Sequence, residues 1–239
     1  LEVVASHADV IYDMTKEVVS NVRIPVIVKL SQNTTNITKV AKAAKKAGAS
    51  AVSAINTVRG ILGVDLETAQ PALSTYGGIS GPYIRPMGLA SVAAIAQSVD
   101  IPICGIGGVD SAKHALEYIM LGASAVQVGT AVMTQGHSAI STIVEELENW
   151  LDAHGLASVE QVRGKALANM KSFDEMKIEP AVSTVQSVPC TENCDKCLTS
   201  CIYGAISRSE TSVNVDEQAC TGCGLCTFIC PAKKLKLAW

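Results

Sequence analysis

Eight of the nine cysteines fall between Cys190 and Cys230, in two runs whose spacing suits metal chemistry. The second run reads Cys220-x2-Cys223-x2-Cys226-x3-Cys230 and is followed by Pro231. Three thiolates on one tight loop match three corners of an iron–sulfur cubane. Where two such runs share a chain, the last cysteine of each ligates the other cluster. The first run, Cys190-x3-Cys194-x2-Cys197-x3-Cys201, has one extra residue after Cys190 and no trailing proline. A flexible loop absorbs the extra residue. The expected sets are therefore Cys190, Cys194, Cys197 and Cys230 for one [4Fe–4S] cluster, and Cys201, Cys220, Cys223 and Cys226 for the other. Two other chemistries fit less well. Disulfide frameworks belong to secreted chains, and no charged-then-apolar leader is visible. Structural zinc takes four ligands, typically in separated pairs. Iron–sulfur ligation implies a reducing compartment, so a cytoplasmic location is expected.

A second group of reactive residues recurs at the ends of apolar runs. Lys29 closes Val26-Ile27-Val28, and Asn56 and Thr57 follow Ile55. Ser80 and Gly81 follow Gly77-Gly78-Ile79, Gly107 and Gly108 follow Gly105-Ile106, and Gly129 and Thr130 follow Val128. Glycine lets backbone N–H groups approach an anion closely, and a following helix adds the positive end of its dipole. Glycine-bearing ends in two successive units read as a phosphate site rather than as turns alone. Lys29 reads as an inward point charge, because an apolar run leads into it. Asn56 offers a donor and an acceptor to a polar heterocycle. Cys104 reads as a small core residue. His7, His114, His137 and His154 show no ligand spacing. No G-x-G-x-x-G stands in a strand–helix context, so dinucleotide binding is expected on a partner.

Such residues need a scaffold that gathers strand ends. Strand-like runs begin near Val26, Ala51, Gly77, Ile101 and Ala125, at intervals of 24 to 26 residues. Helical stripes lie between them. Ile37, Val40, Ala41, Ala44 and Ala47 follow Asn36 and stop at Gly48; Ala112, Ala115, Leu116, Ile119 and Met120 follow Ser111 and stop at Gly122. Repeated strand-then-helix units predict an α/β fold with parallel strands covered on both faces. The regular period favours a (β/α)8 TIM barrel over a doubly wound sheet, with active residues at the C-terminal strand ends. About five βα units are visible. The chain therefore reads as the C-terminal part of a barrel, with about three units before Leu1 at this period. The expected organisation is a partial barrel over 1–155, a post-barrel helix and linker over 156–189, and a 2[4Fe–4S] ferredoxin-like α+β domain over 190–239.

Composition narrows the partners. The 239 residues are 48% hydrophobic, enough for a sizeable core. A net charge of −3 and only 4% aromatics argue against nucleic acid and anionic membrane surfaces. No apolar run approaches the roughly 20 residues of a membrane span.

The stretches Ile24 to Leu30, Ile55-Asn56-Thr57, Gly77 to Gly81, Gly105 to Val109 and Val128-Gly129-Thr130 resemble the flavin-dependent barrels of the dihydroorotate and dihydropyrimidine dehydrogenase family. With the cysteine-rich tail, the likeness is strongest to the branch of bacterial NAD-dependent dihydropyrimidine dehydrogenase subunits that carry FMN and two iron–sulfur clusters. It covers most of residues 1–175 and then the tail. The resemblance implies that Lys29 lies beside the N1/C2 carbonyl edge of FMN. Ser80, Gly81, Gly107, Gly108, Gly129 and Thr130 would hold its phosphate and ribityl chain, and Asn56 and Thr57 would contact the pyrimidine. Ser6 would be the general acid/base, or else that residue precedes Leu1. The implied activity is interconversion of a uracil- or thymine-type pyrimidine and its 5,6-dihydro form. Electrons would pass through the clusters to an FAD/NAD(P)H-binding subunit or a ferredoxin, within an oligomer. Two alternatives stand: a dihydroorotate dehydrogenase-type enzyme, and an electron-transfer subunit whose barrel is not itself catalytic.

Overall fold

The structure is a computed structural model and describes residues 7–171, 175, 181–190 and 194–238. Ser6 lies outside them. The chain divides into two compact units between Met170 and Lys171.

In the first unit the order is α1 (Ala8–Asn21), β1 (Ile27–Leu30), α2 (Ile37–Lys46), β2 (Ala51–Ala54), β3 (Val58–Gly60), β4 (Gly77–Ile79), α3 (Arg85–Ala96), β5 (Ile103–Ile106), α4 (Ala112–Met120), β6 (Ala125–Gln127), α5 (Thr130–Gln135) and α6 (Ser138–Ala153). Strands β1, β2, β5 and β6 form a parallel sheet in that order, with Lys29 level with Ser53 and Ser53 level with Cys104. The reading of parallel βα units therefore holds.

Helix α2 shows why the sequence folds this way. The Asn36 side chain caps it by accepting from the Lys39 N–H. Ile37, Val40, Ala41 and Ala44 are buried, as the stripe predicts, while Lys39, Lys42, Lys45 and Lys46 face outward. Gly48 ends it at φ +97°, a conformation that costs glycine nothing. On the sheet, Leu30, Val52, Ala54 and Ile103 point toward the helices and are 0–3% exposed. Burying each of the larger side chains contributes about 1.5–3 kcal/mol.

Two expectations are corrected. The run at Gly77 is not a strand of the parallel sheet. It is β4, which pairs antiparallel with β3 as a ribbon inserted between β2 and α3. Its small residues suit a ribbon, in which Gly78 leaves the room that Thr57 fills. On the strand face away from the helices Ser53 is 2% exposed, whereas Ile27 is 57% exposed. Finally, the post-barrel helix expected after 155 takes the form of short 3-10 turns rather than an α-helix. A short 3-10 turn (Val159–Gln161), closed by a Ser158/Gln161 capping box, sets buried Val162 against Leu116 and Ile119 of α4. The Gly164 and Ala166 N–H groups then donate to Ile119 and Met120.

The second unit holds β7 (Val182–Val185), α7 (Lys196–Ser200), β8 (Ile206–Arg208), β9 (Val213–Val215), α8 (Leu225–Ile229) and β10 (Leu235–Ala238). β7 pairs antiparallel with β10, and β8 with β9. The cysteine-rich unit thus begins before Cys190, because β7 supplies one of its strands. Among the described residues no helix is long and apolar enough to cross a membrane.

Candidate functional site

The C-terminal ends of the parallel strands open into a cleft of about 490 Å³, within the range of cofactor and small-molecule sites. Lys29 reaches it from β1, Thr57 from beyond β2, and Gly107 and Gly108 from beyond β5. Gly129 and Thr130 line it from beyond β6, and Ser80 and Gly81 from the ribbon. All seven residues expected to hold the cofactor thus share one cavity with Thr57. Asn56 is not among its lining residues. It is exposed, and its Oδ1 accepts from the Thr57 N–H at 2.8 Å. Asn33 carries Thr57 to the rim: its side chain donates to the Thr57 carbonyl at 3.0 Å and accepts from the Arg59 N–H at 2.9 Å.

The glycines differ in what they do. Gly108 sits at φ +67°, and a Cβ there would meet the Gly81 carbonyl at 2.7 Å and Arg85 Cβ at 2.9 Å. It packs two loops together. Gly129 has φ −122°, and a Cβ there would meet nothing within 4 Å. No packing contact calls for glycine at 129, so it leaves bare backbone facing open space. Beside it, Thr130 Oγ1 donates to Ser80 Oγ at 3.0 Å. This combination of hydroxyls and exposed backbone fits the phosphate and polyol of a nucleotide.

Tyr118 of α4 holds the β5 loop from behind. It is fully buried, and its hydroxyl donates to the Gly107 carbonyl at 2.8 Å. A Cβ on Gly88 would lie 1.9 Å from that hydroxyl, and one on Gly105 would lie 2.5 Å from the ring. Burial pushes the Tyr118 phenol up to about 12. Sequence reasoning missed this residue within the α4 stripe. The two glycines that make room for its ring were the available signal. His114, one of the four histidines without ligand spacing, sits on α4. It stands between Asp110, which lines the cleft, at 2.6 Å and the Arg85 guanidinium, which also reaches Glu117 at 3.4 Å.

Cys104 is not in the core. Strand alternation turns it away from the helices, where it stays half-buried beside Gln127. Burial pushes its thiol up, while the Gln127 hydrogen bond opposes that. Ser53 Oγ also donates to Gln127, at 3.2 Å. The three make a polar row beneath the cleft.

In the second unit the described cysteines line two small cavities. One small cavity is lined by Cys190, Cys194, Cys197 and Cys230, and another by Cys201, Cys220, Cys223 and Cys226. Burial, followed by the facing sulfur of Cys230 and then those of Cys190 and Cys194, pushes the Cys197 thiol up. These are groups that a positively charged core would bind as thiolates. Among the described residues no three His, Cys, Asp or Glu side chains gather around a single-ion position.

Parallel βα units whose strand ends share one glycine-lined cleft, on a chain that also carries a ferredoxin-like cysteine-rich module, define an α/β TIM-barrel class. The chain belongs to the dihydroorotate dehydrogenase family, whose model matches residues 1–151. A 4Fe-4S binding domain matches residues 212–235, which include Cys220, Cys223, Cys226 and Cys230. Among curated relatives, the catalytic subunit of dihydroorotate dehydrogenase B (NAD(+)) from Pelobacter propionicus is 46% identical over 59% of this chain and 46% of its own length. Those from Pyrococcus furiosus and Streptococcus pneumoniae are 44% and 41% identical, over 65% and 68% of this chain and 52% of their own length. The chain spans about half the length of the curated relatives it matches.

Proposed function

We propose that the chain serves a flavin- and iron–sulfur-dependent oxidoreductase that interconverts a pyrimidine and its 5,6-dihydro form. The observation that carries this reading is the convergence of Lys29, Thr57, Ser80, Gly81, Gly107, Gly108, Gly129 and Thr130 on one cleft. Bound FMN would supply hydride exchange with the substrate and one-electron exchange with the clusters. Lys29 would place its cation against the flavin edge that becomes anionic on reduction. Gly107, Gly108 and Gly129 would offer N–H groups to the phosphate, with Ser80, Gly81 and Thr130 along the polyol. Thr57 and Asn56 are proposed pyrimidine contacts, Asn56 after its side chain releases the Thr57 N–H. Ser6 remains a candidate acid/base. The two cysteine sets would each hold a [4Fe–4S] cluster.

The resemblance of the barrel stretches and the two cysteine cavities favour a uracil- or thymine-type substrate. A dihydroorotate substrate is favoured by the names of the curated relatives, which also name NAD(+). A separate FAD/NAD(P)H-binding subunit or a ferredoxin would then take the electrons. Anaerobic titration of the intact holoprotein with dihydrouracil, dihydrothymine and dihydroorotate decides between these readings. Flavin bleaching by only one of them names the substrate. Absence of acid-extractable FMN overturns the flavin reading and leaves an electron-transfer unit.

A further inference from the structure

Lys234 is 5% exposed, and among the described residues its Nζ donates to a neutral partner, the Val188 carbonyl. No carboxylate among the described residues pairs with it. A buried cation without a counter-charge is costly, so its surroundings must supply an anion. Its backbone places it beside one cysteine set. The Lys234 backbone N–H donates to Cys230 Sγ at 3.3 Å, and Val188 stands just before Cys190. Lys234 therefore ties the Cys190 arm, the one with irregular spacing, to the Cys230 turn. Two more cations attend this set. Lys196 lines its cavity, and Arg208 donates to the Cys194 carbonyl at 2.5 Å. Of the two acids on this arm, Asp195 is exposed and Glu192 lies outside the described residues.

The second set differs. No charged side chain lines its cavity. Its sulfurs have neutral company: Cys220 Sγ accepts from the Ser183 N–H at 3.4 Å, and Cys226 Sγ meets the Ser183 hydroxyl at 3.3 Å. The charges nearest in sequence, Asp216 and Glu217, are acidic.

We propose that Lys234, seconded by Lys196 and Arg208, makes the two sets electrostatically unequal, so that the group on Cys190, Cys194, Cys197 and Cys230 is reduced before that on Cys201, Cys220, Cys223 and Cys226. This rests on the two-cluster reading given above. Four thiolates outweigh the charge of an iron–sulfur core, and reduction adds one more negative charge. A fixed cation stabilises the reduced form more than the oxidised form, and potential follows net charge and hydrogen bonding. In the step itself one electron leaves the reduced group of the uncharged set and enters the oxidised group of the Lys234 set. No bond or proton changes hands. Lys234 is a positioning residue that acts through the ligands.

The test is an anaerobic redox titration of the full-length holoprotein followed by electron paramagnetic resonance. Two one-electron steps are expected in the native protein. In Lys234→Met, the reduced-to-oxidised ratio at the native midpoint of the earlier step falls about tenfold, or about 59 mV for one electron. The later step stays in place, and Lys234→Arg restores the native titration. Lys196→Gln, at an exposed position that does not test folding, moves the same step the same way by less. The proposal is overturned if both variants move the later step, move both steps alike, or move neither. Iron analysis of the same samples separates the failures: iron for a single cluster overturns the two-cluster reading, whereas iron for two with an unmoved earlier step overturns the role of Lys234 alone.

Discussion

Replacing Tyr118 with Phe keeps the ring in the space left by Gly88 and Gly105 and removes only the hydroxyl. The native hydroxyl bonds the Gly107 carbonyl at 2.8 Å in a fully buried setting. A net hydrogen bond of this kind is worth about 0.5–1.5 kcal/mol, and a stranded buried acceptor costs about 1–3 kcal/mol. With the Ile106 carbonyl 3.4 Å from the hydroxyl contributing little, the expected loss at neutral pH is about 1–2 kcal/mol. For a unit of this size that lowers the melting temperature by about 3–6 °C. The loop that offers Gly107 and Gly108 also loosens, so FMN is held several-fold more weakly. Alkaline pH supplies a second signature. The unfolded phenol ionises near its ordinary value of about 10, whereas the native one holds its proton until about 12. Between those values the unfolded state binds fewer protons, so this contribution is intact below about pH 10 and lost as pH rises through about 12. The native advantage over Tyr118→Phe should shrink across that window in calorimetric scans. Equal melting temperatures at pH 7, or parallel stability curves up to pH 12, would refute the reasoning.

Other outcomes can be checked with simple variants. Lys29→Ala should slow substrate-driven flavin reduction in stopped-flow absorbance while leaving cluster absorbance intact; equal loss of both counts against its place in the cleft. Gly129→Ala, whose Cβ enters open space, should keep native stability within about 0.5 kcal/mol and lose bound FMN, seen as a fall in extractable flavin. Gly108→Ala should instead destabilise by about 1–3 kcal/mol, because its φ and the close Gly81 carbonyl leave no room; equal melting of the two variants would contradict the division of labour. Cys223→Ser should remove the iron of one cluster, whereas Cys104→Ser should leave iron content unchanged.

Where local chemistry decides a feature, the sequence carried it. The α2 stripe, its Asn36 cap and its Gly48 stop follow from helical periodicity, and all of them recur in the structure. The grouping of Cys190 with Cys194, Cys197 and Cys230 around one cavity matches ligand-exchange logic, which spacing alone would not give; that each group holds a cluster belongs to the proposal. What failed needed partners distant in sequence. The Gly77 run has the length and period of a barrel strand, but the proximity of Val58–Gly60 captures it as a ribbon. Val182–Val185 looks like linker until Leu235–Ala238 arrives to pair with it. Cys104 has a core composition around it, but one residue of strand alternation turns it to the other face. Tyr118 and Asn33 were invisible because each supports the cleft through a backbone group, which leaves no motif.

The fit of Tyr118 between two glycines also constrains the order in which this chain can change. At position 88 the obstacle to a methyl group is the phenol oxygen, 1.9 Å away, with the next atom at 3.1 Å. At position 105 it is the ring itself, at 2.5 Å. A lineage that first exchanged Tyr118 for Phe would therefore open position 88 to alanine, whereas the reverse sequence passes through an overpacked intermediate. Position 105 stays closed to alanine under either aromatic. The same two substitutions are thus permitted in one order and barred in the other, and a library that samples them singly would find only half of the route.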